Sequence, residues 1–137
     1  MAISGGLKTA DALIARGINV DPKCSLCHCY AETVSHLFFE CDYSFTILTK
    51  LMFNLGFLLL RPNVLRIFEY IKDTKDKNKE FYYLLICSSV YFIWRERNER
   101  KFGGNSVSST SLALKIKVVV FSRIMKWKSR DIVMDLL

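Results

Sequence analysis

Between Cys24 and Cys41 the chain reads CSLCHCYAETVSHLFFEC, and this stretch holds four of its five cysteines and both of its histidines. Outside it, Cys87 is the only thiol and there is no imidazole. Nothing else in the sequence constrains the fold as tightly. The start, MAISGGLKTADALIARG, lacks the basic, then apolar, then small-residue order of a secretory signal. The expected setting is therefore intracellular, the nucleus included, where thiols stay reduced. Closely spaced cysteines then point to a metal before they point to disulfides. The odd number of cysteines argues the same way.

Cys24, Cys27, His36 and Cys41 give the pattern C-x2-C-x8-H-x4-C. A C-x2-C turn can present two thiolates to one ion, with backbone amides of the turn facing their charge. His36 and Cys41 complete a Cys3His tetrahedron of the kind that holds structural zinc. Four protein ligands leave no open position for water, so the zinc is expected to be structural and not catalytic. His36 and Cys41 are five positions apart, which on an ideal α-helix is a rotation of about 140° and not one face. Cys41 must therefore lie where the helix ends or tightens. Thr33 is a candidate N-cap, which puts His36 near the positive end of a helix and favours its neutral, ligating form. His28 and Cys29 are left over. Adjacent residues rarely point at one ion, and Cys29 remains an alternative to Cys27 or Cys41.

The remaining pattern is helical. Leu7, Ala10, Leu13 and Ile14 recur at helical spacing and Gly17 suits a helix end. Asp42 is a cap candidate for a helix through YSFTILTKLMFNLG, which Gly56 can stop. RPNVLRIFEYIKD (61–73) reads as a helix with Pro62 in its first turn, followed by a polar link. A long helix is expected over about 80–102, broken by Gly103-Gly104. NSVSST then supplies cap chemistry for a last helix over about 110–128. No stretch alternates convincingly as a strand, although KVVVF is ambiguous. The expected fold class is a small all-α, zinc-stabilised domain: a zinc-binding part over 1–60 and a basic helical extension over 61–137 packed on it. The apolar stretches 51–60 and 81–94 are too short to span a bilayer, which takes about 20 residues, so no membrane association is expected.

Charge is unevenly placed. The net charge is +7, yet residues 1–60 carry a net −1, so the whole surplus of bases follows residue 60. It falls in runs such as KDTKDKNK, WRERNERK and KWKSR. Either these are solvated helix faces, or Arg95, Arg97, Arg100, Lys101, Lys126 and Lys128 meet a polyanion, with aromatics stacking on unpaired bases. In the first case Trp94 and Phe102 are core anchors. No Gly-rich phosphate loop, HExxH, GxSxG or placed acid pair occurs, so neither enzymatic activity nor a small-molecule substrate is expected.

The segment LKTADALIARGINVDPKCSLCHCYAETVSHLFFECDYS closely resembles the zinc-binding domain found downstream of reverse transcriptase in plant non-LTR (LINE-type) retro-elements. The resemblance rests on L-x-T-x-D-x-L-x-x-R-G-I (Leu7, Thr9, Asp11, Leu13, Arg16, Gly17, Ile18), on C-x-L-C, and on E-T-x-x-H-L-F-F-x-C. FIWRERNERKF is similar to a segment that often follows in those reading frames. The resemblance implies Cys24, Cys27, His36 and Cys41 as zinc ligands, RNA or DNA as a partner, and the polymerase portion of the element as another. It also implies an aromatic-rich stretch ahead of residue 1. No YxDD box occurs, so the polymerase itself is not expected within this chain.

Overall fold

Leu13 carries the end of the first helix. Its carbonyl accepts the amide of Ile18 at 3.0 Å while Ile14 accepts Gly17 at 2.9 Å, and Gly17 takes φ +80° to close the turn. Only glycine adopts that conformation freely, so α1 (Ala10–Ala15) ends where the sequence places its stop. The computed structural model describes residues 7–51 and 79–126. In chain order α1 is followed by a hairpin-like turn closed by a single bridge between Lys23 and Ala31. A π-helical turn, His36–Glu40, leads directly into α2 (Asp42–Leu51). Two long helices complete the order, α3 (Lys79–Lys101) and α4 (Ser109–Ile124).

The described residues are mostly helical and contain no strand, and KVVVF lies within α4. The 61–73 helix, the polar link, the Gly56 stop and the 60/61 division all lie outside the described residues.

The loop from α3 to α4 repeats the chemistry of the first turn. Gly103 takes φ +81°, its amide reaches Arg100, and the Gly104 amide reaches the Glu99 carbonyl at 2.6 Å. Ser108 then caps α4, its hydroxyl accepting the Ser111 amide at 3.2 Å. Tight closure at both ends lets α3 and α4 fold back on each other.

One core joins these elements. Leu37, Phe38 and Phe39 of the π-turn pack with Ile47, Leu48 and Leu51 of α2, with Leu85, Ile86 and Ile93 of α3, and with Ile116, Val120 and Ile124 of α4. Cys24 and Cys41 belong to the same cluster, so the sulfur site is built into the core wall. The α1 stripe contributes less than its periodicity suggests: Ala10 is buried, but Ile14 is 45% exposed. Phe102 corrects the reading of the α3 stripe as a row of core anchors. It is 82% exposed, because it lies past the last turn of α3. Among the described residues no helix is long and apolar enough to cross a membrane.

Candidate metal centre

The first two sulfurs are set by the turn that follows Lys23. The Cys24 carbonyl accepts the His28 amide at 2.9 Å, and the Cys24 amide donates across the turn to Tyr30 at 2.8 Å. Inside that frame two amides point at sulfur, Leu26 N–H at Cys24 Sγ (3.4 Å) and Cys29 N–H at Cys27 Sγ (3.5 Å). Amide dipoles aimed at sulfur favour the thiolate, the form that binds metal. His28 makes the second of these possible. It has φ 60°, the left-handed region, and that reversal turns Cys29 N–H back toward Cys27. Histidine is among the few residues other than glycine enriched there. The surplus histidine of the sequence thus has a backbone role.

His36 and Cys41 come from the other side. Thr33 Oγ1 accepts the His36 amide at 3.0 Å, the capping contact expected of Thr33. From His36 the helix is π-wound, and the Cys41 amide bonds to the His36 carbonyl at 2.7 Å. A bond spanning five residues stacks the first over the last, so His36 and Cys41 share a face that an α-helix would deny them. Of the two expected alternatives, the helix ends at Cys41, which is extended (φ −64°, ψ 136°), and before that end it widens and does not tighten. The buried Ser44 hydroxyl donates to the Leu37 carbonyl and ties the π-turn to α2.

These local devices converge. Cys24, Cys27 and Cys41 Sγ and a ring nitrogen of His36 all lie within 4.8 Å of one another. Cys24 and Cys41 sulfurs are 4.0 Å apart, and Cys27 Sγ lies 3.3 Å from His36 Nε2. Ligands at about 2.0 to 2.3 Å from a tetrahedral zinc stand roughly 3.3 to 3.8 Å apart, so the group needs only small adjustments to hold one ion. Cys29 is exposed and stands outside the group. Charge within the site is polarised. The Cys41 thiol donating to Cys24, helped by backbone amides, brings the Cys24 pKa down to about 5 against the opposing effect of burial. The proton stays with Cys41, whose pKa is pushed up by its bond to Cys24 and by burial. A buried thiolate beside a buried thiol is a donor set that a divalent cation would neutralise by displacing the remaining proton.

A buried ion pair fastens this site to α3. Arg97 donates to Glu32 through Nε (2.9 Å) and Nη2 (2.7 Å), and both residues are under 5% exposed. Glu32 Oε1 also accepts the Ala10 amide at 2.8 Å, capping α1 from a distance. Arg97 lies over the Trp94 ring at 4.6 Å and bonds Asn98. Arg100 is engaged as well, with Glu96 (2.7 Å), with the carbonyls of Leu26 (3.3 Å) and Val107 (2.9 Å), and with the Tyr43 ring. Two of the six candidate polyanion contacts therefore face inward, as neither solvated charges nor free cations. Arg95 and Lys126 are exposed, Lys101 is half-exposed, and Lys128 lies outside the described residues. The role of Glu32 was missed: a pair separated by 65 positions leaves no periodic trace in a sequence.

Residues 1–47 match the family model described as zinc-binding in reverse transcriptase. The matched stretch contains all four members of the Cys3His group. No curated protein and no solved structure matches the chain.

Proposed function

We propose that the chain is a zinc-stabilised accessory module of a retro-element reverse transcriptase, of the plant non-LTR type, that binds RNA or DNA and carries no catalysis of its own. The observation that carries this reading is the convergence of Cys24, Cys27, His36 and Cys41 within a segment matching zinc-binding in reverse transcriptase. Zinc bound there would cross-link the turn after Lys23 to the junction of the π-turn and α2, and so stabilise the fold. With its ligand positions filled by protein it would have no site for substrate. Nucleic-acid contact is supported by the basic surplus after residue 60 and by the exposure of Arg95 and Lys126. The polymerase portion of the element is the proposed companion, and the proposed location is intracellular, the nucleus included.

The test is titration of the zinc-loaded chain with single-stranded and duplex RNA and DNA at two salt concentrations. Binding that weakens steeply as salt rises is the expected result. No binding, or an affinity indifferent to salt, would overturn the reading.

A second reading, a protein-docking module without nucleic acid, is favoured by one observation. Leu114, Val118, Phe121 and Met125 are each at least 43% exposed and recur at helical spacing along one face running from α4 onto its cap residue. It predicts self-association of the isolated chain, which sedimentation would detect. A monodisperse monomer would contradict it.

A further inference from the structure

The cations that the structure leaves free are only in part those most prominent in the sequence. Arg97 and Arg100 are consumed within the protein, whereas Arg95, Lys115 and Arg123 are exposed and pair with no carboxylate among the described residues. These three line two neighbouring hollows that share Phe92 as a wall. The hollows, of about 230 and 300 Å³, lie between α3 and α4. Arg95 and Lys115 line the first and Arg123 lines the second. Tyr91, 57% exposed, lines the second hollow and stands edge-on to Phe92, with its ring centroid 5.2 Å away. Arg95 lies 5.7 Å from the Tyr91 ring, and Lys115 lies 5.5 Å from the Phe92 ring. Glu99 is the one unneutralised acid on the lining, because the Glu96 carboxylate is bonded to Arg100.

We infer that the groove between α3 and α4 seats a single-stranded nucleic acid, with a base stacked on Tyr91 and phosphates held by Arg95, Lys115 and Arg123. This inference rests on the proposed nucleic-acid function and gives it a site. An exposed aromatic face beside unpaired cations is the combination that single strands require, since their bases are free to stack and their phosphates need counter-charge. A duplex hides its base faces and would leave Tyr91 without a role. Placing cations on both helices gives the groove a direction, with Arg95 and Lys115 toward the loop that joins α3 to α4 and Arg123 near the far end of α4.

The test uses the full zinc-loaded chain and a labelled oligouridylate of about 12 nucleotides. Its variants are Arg95→Ala/Lys115→Ala/Arg123→Ala, Tyr91→Ala and Tyr91→Phe, each checked for native circular dichroism. A Lys8→Ala/Arg16→Ala/Lys50→Ala chain removes equal charge elsewhere. The groove triple is expected to reduce the slope of log affinity against log salt by about 2, at roughly 0.7 per phosphate contact. Tyr91→Ala is expected to weaken binding about tenfold and Tyr91→Phe to restore it. The distant triple should leave the slope nearly unchanged. Wild-type binding that survives the groove triple with its slope intact, but falls when Lys101 and Lys126 are removed, would overturn the groove and leave the proposed function standing. Absence of wild-type binding would overturn both. Equal binding of polyglutamate would also overturn the groove, by showing a site for acidic chains in general.

Discussion

Glu32 is asked to do two things at once, to cap α1 and to neutralise Arg97, and both partners are out of water. Removing either member leaves an uncompensated buried charge, which typically destabilises by about 3 to 5 kcal/mol. Glu32→Ala and Arg97→Ala should each show a loss of that order in urea unfolding, and the double variant should lose much less than their sum. His28 makes a conformational claim. Its φ of 60° is tolerable for histidine and unfavourable for a β-branched residue. His28→Gly should therefore keep stability and zinc content, and His28→Val should lose about 1 to 2 kcal/mol. Tyr43 makes a claim about alkaline pH. Its hydroxyl donates to the Val107 carbonyl at 2.8 Å, and burial, reinforced by the Glu96 carboxylate, pushes its pKa up to about 12. A phenol ionising later in the folded than in the unfolded chain adds stability that is complete below pH 10 and lost as pH rises toward 12. The phenolate absorbance of wild type minus Tyr43→Phe should rise in that range; a midpoint near 10 would contradict the half-buried placement.

At the scale of elements, each helix ends for a local reason and the metal centre is built from departures from regularity. Gly17, Gly103 and Ser108 are ordinary stop and start signals, which is why α1, the end of α3 and the start of α4 were legible from residue type alone. Ser108→Ala should lose about 1 kcal/mol by thermal unfolding, with no change in zinc content. The π-turn was not legible. The spacing of His36 and Cys41 showed that an ideal α-helix could not serve, but whether it would end, tighten or widen depends on burying Leu37, Phe38 and Phe39 against α2, α3 and α4. That is a tertiary decision. The inward course of Arg97 was hidden for the same reason: the motif WRERNERK shows six charged side chains and not that Arg97 finds Glu32 far away in the chain, whereas the Glu96–Arg100 pair is legible from its spacing of four residues on one helix.

For the whole molecule, the sulfur site and the helical extension share one apolar cluster, running from Cys24 to Ile124. The Glu32–Arg97 pair and the Arg100–Leu26 bond cross between the same two parts. The candidate ligands themselves stood out in the sequence because thiols and imidazoles are so scarce elsewhere in the chain. Their dependence on α3 became visible only in three dimensions. A cross-link at the centre should thus be felt in helices that contribute no ligand. The most direct measurement is zinc content with far-UV circular dichroism, before and after chelation, on the wild type and on His36→Ala. The account predicts one zinc per chain, a single cooperative loss of helix on chelation that includes α3 and α4, and weakened zinc retention in His36→Ala. A chain that binds no zinc, or that keeps all its helix when the metal is removed, would contradict it.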